Sequence, residues 1–393
     1  MKTDAVKKSY VSKMVMQLQP SGIRKFFDLA SQMEGVISLG VGEPDFITPW
    51  NVCEASVNAL ENGYTGYTSN AGLLELREEI SAYLKNRFQL SYHPNNEMLI
   101  TVGASQAIDV ALRTILDPGD EVIVVEPCFV AYAAAVSLAG GVPVSAATSA
   151  ENEFKLLPEN LENKITEKTK ALILCFPNNP TGATMVENDL AAIAEIVKKH
   201  DLLVLTDEIY AELNYDEEHV SIAAFEGMKE RTIYISGFSK AFAMTGWRLG
   251  YAAGPQDLIE AMLKIHQYTV MCAPTMAQHG ALEALRNGMD DVAEMVKSYR
   301  QRRNFLVQSF QEIGLDCHMP GGAFYVFPSI KRTGLTSEQF AEQLLHQEKV
   351  AVVPGNVFGQ GGEGHIRCSY ASSLTELQEA IHRIARFLKR IDA

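Results

Sequence analysis

The chain has 393 residues, with 34 Lys and Arg against 48 Asp and Glu for a formal net charge of −14, and is 47% hydrophobic and 21% charged. This is globular composition, and at roughly 150 residues per domain it allows two or three domains, or one large domain with a smaller companion. The acidic balance argues against a surface built for nucleic acid or anionic lipid, which reward clustered Lys and Arg, yet leaves room for a local basic pocket around a small anion.

Along the chain, the opening MKTDAVKKSYVSKMVMQLQPSG has no apolar core of the kind a secretory signal needs. MLITVG (98–103) then reads as a strand and SQAIDVALRTIL (105–116) as the helix after it. A DPGD turn leads to EVIVVEP (121–127), a helix in VAYAAAVSLAG, a strand in PVSAAT and a buried strand in KALILCFP (170–177). ENDLAAIAEIVKKH (187–200) is a helix, and LLVLTDE (202–208) and TIYISGF (232–238) are strands. Short β-branched runs separated by helices imply right-handed crossovers and a mainly parallel sheet covered on both faces, an α/β fold. The stretch 276–313 has helical periodicity sufficient for one or two long helices. GGAFYVFPSI, VAVVPG and HIRCSYA suggest a smaller sheet, closed by an amphipathic helix from Leu374 to Leu388. The expected division is a large domain over 49–285, with 1–48 and 286–393 forming a small domain and N-terminal arm.

The six cysteines, at 53, 128, 175, 272, 317 and 368, never form a CxxC pair. Reduced structural thiols are expected, with no metal site and a cytoplasmic location. No run of about 18 apolar residues is present, so no membrane span is expected.

Four segments end a strand with residues able to do chemistry. SGFSKAFAMTGWRLGY (236–251) places Lys240 just past a strand, where ligands of open α/β sheets gather, with Arg248 eight residues on. Taken singly, each is more often a solvated surface charge. LLVLTDEIYAEL places Asp207 and Glu208 at a strand end with Tyr210 behind; such an acid binds a ligand or caps the next helix. FPNNPTG (176–182) is a turn whose asparagines need be nothing more. TVGASQAID (101–109) runs from strand to helix start, where backbone N–H groups and the Ser105 hydroxyl can hold a phosphate.

In order and spacing, SGFSKAFAMTGWRLGY together with NNPTG, DEIY and an Arg near the end resembles the pyridoxal-phosphate (PLP) enzymes of the class I/II aminotransferase family, fold type I. The resemblance runs from about Gly22 to the final helix, and implies a large domain built on a seven-stranded-type sheet. It implies that Lys240 carries pyridoxal 5′-phosphate as a Schiff base and, once freed, moves the substrate proton. Asp207 would pair with the ring nitrogen, Asn179 and Tyr210 would donate to the ring 3′-oxygen, and Phe129 in EPCFVAY would stack on the ring. Gly103, Ala104, Ser105, Ser239 and Arg248 would hold the phosphate. Tyr67 would reach the phosphate of a neighbouring subunit, making the functional unit a homodimer with shared sites, and Thr275 in CAPT falls near the same boundary. Arg367 in GHIRCSYA matches the receptor of the substrate α-carboxylate, a task suited to its planar fork. Gly40 in ISLGVGEPDF would supply close backbone approach, and GIRKFFDLA (22–30) would form a mobile lid helix whose Phe26 and Phe27 are read as packing residues. One departure stands out: some relatives carry Ser or Asn three residues before the lysine, where this chain has Gly237, and Ser236 is the candidate partial substitute.

The implied activity moves an amino group from an L-amino acid to a 2-oxo acid, 2-oxoglutarate foremost, by a ping-pong route through pyridoxamine phosphate. The overall pattern is most similar to the subgroup of aromatic, aspartate and N-acetyl-diaminopimelate aminotransferases. No single Arg is assignable to a side-chain carboxylate. A PLP-dependent C–S lyase on the same fold is the alternative. A non-enzymatic PLP-sensing module is disfavoured by the acidic charge and by the roughly 20 residues that precede the resemblance.

Overall fold

The computed structural model describes residues 10–18, 22, 31 and 33–392. The lid-helix reading over 22–30, with Phe26 and Phe27, therefore lies outside the described residues apart from Gly22.

In chain order the strands are β1 (Ile37–Ser38), β2 (Met98–Thr101), β3 (Glu121–Glu126), β4 (Val142–Ala147), β5 (Thr169–Leu174), β6 (Leu203–Asp207), β7 (Thr232–Gly237), β8 (Gly250–Ala253), β9 (Tyr325–Val326), β10 (Val350–Ala351), β11 (Val353–Pro354) and β12 (Ile366–Ser369). Seven of them form one sheet in the order β2-β8-β7-β6-β5-β3-β4. Every pairing from β7 through β4 is parallel, while β8 runs antiparallel to both of its neighbours. The other six strands thus share one direction, and their carboxyl ends lie along one edge.

The near-continuous apolar runs of β2, β3, β5, β6 and β7 are explained by helices on both faces. One face is sealed by the helix Gly103–Ile115, whose Ala107, Ile108, Ala111, Leu112 and Ile115 pack with Leu99, Val122, Leu205, Ile233 and Ile235. The other is covered in part by Glu187–Lys199, which buries Leu190, Ile193 and Val197 against Ile123, Leu172 and Val204.

The predicted small sheet exists as β11-β12-β9, antiparallel throughout. VAVVPG is split between two sheets, since β10 pairs in parallel with β1 and β11 pairs with β12. The 276–313 stretch is two helices, Thr275–Asn287 and Met289–Glu312, separated at Gly288. The closing helix, Leu374–Ile391, starts with a Ser373–Glu376 capping box and buries Leu377, Ala380, Ile381, Ile384, Phe387 and Leu388 on one stripe.

Candidate active site

Five loops leave the aligned carboxyl ends of β2, β3, β5, β6 and β7, and their side chains line a cleft of about 310 Å³. This is the place where an open α/β sheet exposes backbone and side chains together. Ala104, Ser105, Phe129, Asn179, Asp207, Tyr210, Ser239, Lys240, Arg248 and Arg367 all face it.

Asp207 is the last residue of β6 and is buried. Its Oδ2 accepts a 2.7 Å hydrogen bond from the Tyr132 hydroxyl, and Oδ1 accepts from the Ile209 amide at 3.3 Å. Burial pushes this carboxyl up to about 6, against the opposing pull of those two donors.

Lys240, three residues beyond β7, donates from Nζ to the Gly42 carbonyl at 2.6 Å. Burial lowers its amine to about 8, partly offset by the nearby Glu43 carboxylate. The free base is therefore accessible near neutral pH, as a nucleophile or proton carrier requires.

Arg367, on β12, is only 3% exposed. It donates to Asn179 Oδ1 at 2.9 Å and to the Gly40 carbonyl at 2.6 Å, while its Nε is buried without a partner. Its guanidinium lies between the rings of Tyr325 and Phe358, at 4.6 and 4.9 Å from their centroids. A buried guanidinium beside an orphaned N–H is suited to an incoming carboxylate.

One end of the cleft is made by the start of the helix Gly103–Ile115. Its first turn holds no acid and no side chain caps it, so the amides and the positive end of the helix dipole are free for an anion. Gly103 has φ +74°, and a Cβ there would lie 2.5 Å from the Arg248 guanidinium. Glycine is what lets that cation close over the turn.

One expectation changes. Ser236 does not replace the residue missing at 237: its hydroxyl donates to the Glu208 carbonyl at 3.1 Å, away from the cleft. Position 237 has no room for a side chain, since a Cβ would sit 2.9 Å from Gly250 Cα and from the Leu249 carbonyl. Tyr67 is 83% exposed and contributes nothing to this subunit's cleft. Thr275 lies beside it in the fold, donating to the Gly66 carbonyl at 2.8 Å.

Sequence reasoning missed Tyr132, Tyr325, Gly42 and Glu43 as cleft residues. Tyr132 stands three residues past Phe129, and their rings meet edge to face at 5.7 Å. Tyr325 on β9 pairs with Ser369 on β12, which puts it diagonally opposite Arg367 on the same sheet face. Neither contact leaves a motif along the chain.

A lysine, a buried acid and a buried arginine thus gather in one cleft at the strand ends of an α/β sheet. The sequence profile of "Aminotransferase class I and II" matches residues 34–384, and the chain belongs to that family. It is 67% identical to the putative aminotransferase YugH of Bacillus subtilis over 97% of this chain and 99% of the relative. It is 48% identical to an aspartate aminotransferase of Pyrococcus abyssi, covering 95% of this chain and 96% of that one. The crystal structure of the aromatic aminotransferase from Pyrococcus horikoshii superposes with a TM-score of 0.90 at 46% identity, over 94% of this chain and 99% of that one. The protein is an aminotransferase.

Proposed function

We propose that this aminotransferase uses pyridoxal 5′-phosphate to move an amino group from an L-amino acid to a 2-oxo acid, 2-oxoglutarate foremost, in a ping-pong cycle. The residues fit the cofactor. The glycine cradle at 103, the free amides of Ala104 and Ser105, the Ser239 hydroxyl and Arg248 make a phosphate cup in an otherwise acidic chain. Asp207 supplies an anion for the ring nitrogen, Asn179 and Tyr210 supply donors for the ring oxygen, and Phe129 supplies a stacking face. Bound there, the cofactor contributes an aldehyde to carry the amine and a pyridinium ring to accept electrons as Cα loses its proton.

The chain's own residues do the remainder. Lys240 anchors the group and, as a free amine, holds and returns the proton of Cα. Arg367 orients the α-carboxylate, and its pairing with Asn179 ties that recognition to the ring-oxygen side of the cleft. Burial of Arg367 strengthens its charge contacts.

Among the described residues the cationic side chains lining the cleft are Lys240, Arg248 and Arg367, all assigned above, so none of them is left for a side-chain carboxylate. The working unit in this reading is a homodimer. Ile47, Trp50, Tyr64, Tyr67 and Tyr268 are exposed large apolar residues that a second copy would cover, with Tyr67 entering the partner's site. In this reading residues 49–285 hold the cofactor, and 1–48 with 286–393 close on the substrate. The six free thiols fit a cytoplasmic protein, and no helix among the described residues is long and apolar enough to cross a membrane.

The convergence of Lys240, Asp207 and Arg367 on one cleft carries the proposal. The test is a panel of amino donors against 2-oxoglutarate with the PLP-loaded protein and with Lys240→Ala. Parallel double-reciprocal plots are expected for wild type, with loss of several orders of magnitude in Lys240→Ala. A fully active Lys240→Ala protein refutes the assignment.

A further inference from the structure

Tyr325 lines the cleft and is fully buried, yet none of the roles above requires it. It touches three functional parts of the site at once. Its hydroxyl lies 2.9 Å from the Tyr210 hydroxyl. Its ring covers the Arg367 guanidinium at 4.6 Å. Its oxygen also abuts the loop that accepts from Lys240, since a Cβ on Gly42 would stand 2.9 Å from it.

We propose that Tyr325 is a positioning residue that orders the Tyr210 hydroxyl as a donor and links it to carboxylate recognition at Arg367. The inference rests on the PLP reading given above. A phenol has one proton to give. If Tyr210 is to donate toward the cofactor oxygen, the 2.9 Å contact requires Tyr325 to donate to Tyr210. The result is a two-phenol relay with a fixed direction, in which each bond polarises the next. Both side chains are buried, so losing either hydroxyl takes away the partner that the packing holds against the other. The same ring lies 4.6 Å from the Arg367 guanidinium, so a carboxylate that shifts the guanidinium presses on the relay.

The experiment uses the PLP-loaded enzyme and the variants Tyr325→Phe, Tyr210→Phe and the double variant. Tyr325→Phe keeps the ring over Arg367, and circular dichroism with thermal melting verifies its fold. A donor to the ring oxygen favours the deprotonated chromophore, where that oxygen carries more negative charge. Weakening the donor therefore raises the pH midpoint of the visible band. For Tyr325→Phe we expect a rise of about 0.5–1 pH unit, the size of one neutral hydrogen bond. We also expect a fall in kcat of about 3–10-fold, and no further midpoint shift when the change is made on Tyr210→Phe. An unchanged midpoint in Tyr325→Phe, or shifts that simply add in the double variant, overturns the proposal. If wild-type protein shows no lysine-dependent visible band, with Lys240→Ala as control, the PLP reading fails instead. The two failures are thereby distinguishable.

Discussion

Asp207→Asn separates what the site needs from what the fold needs. In the cofactor-free protein the carboxyl is buried, and burial raises it from 3.8 to about 6. A folded-state value above the unfolded one means the folded chain holds the proton more tightly, so stability falls as pH climbs from the unfolded value to the folded one. The penalty is absent below about pH 3.8 and complete above about pH 6. Two units correspond to about 3 kcal/mol at pH 7.5, and linkage leaves about half of that at pH 5. Asparagine removes the charge while still accepting from the Tyr132 hydroxyl. Entropy of unfolding scales with length, so for a chain of this size the change is a rise in Tm of about 3–4 °C at pH 7.5, and roughly half as much at pH 5. Scanning calorimetry of the cofactor-free wild type and variant at both pH values reads this directly. Loaded with PLP, the same variant is expected to lose at least ~10²-fold in turnover, because a neutral amide no longer holds the ring nitrogen protonated. A cofactor-free variant that melts at or below wild type at pH 7.5, or a gain that does not shrink at pH 5, refutes the argument.

Other outcomes follow from the same geometry. Arg367→Lys keeps the charge but loses the planar fork, so kcat/KM is expected to fall ~10²-fold, mainly through KM for both donor and acceptor, in steady-state assays. An equal loss confined to kcat would place Arg367 elsewhere in the cycle. The Lys240 amine, lowered to about 8, is mostly protonated at pH 6.5 and mostly free at pH 9. Capture of PLP by the cofactor-free enzyme, followed by stopped-flow absorbance under excess cofactor, should therefore accelerate with pH and level off above a midpoint near 8. A midpoint above pH 10 would show that burial does not tune this lysine.

Strand runs such as EVIVVE and KALILC are legible along the chain because burial on both sheet faces demands continuous apolar sequence. β8 is not, because GYAA is four small or mixed residues whose identity as a strand comes only from its two antiparallel neighbours. VAVVPG reads as one strand, and its division between two sheets is likewise set by its partners.

The site divides in the same way. Residues at strand ends, among them Lys240, Asp207, Asn179 and Ser105, carry local signals, since turn chemistry and a strand terminus are written in neighbouring positions. Their order and spacing were enough to bring the family into view. Tertiary structure alone decided the contacts across large separations: Tyr132 on Asp207, Tyr325 on Tyr210, Gly42 on Lys240 and Gly40 on Arg367. It also decided that Ser236 turns away from the cleft, onto the Glu208 carbonyl, and that position 237 has no room for a side chain. Composition and local pattern report what each residue can do, whereas burial and pairing depend on which distant segments the packed sheet brings alongside. For this chain that difference sets Asp207 near 6 and Lys240 near 8.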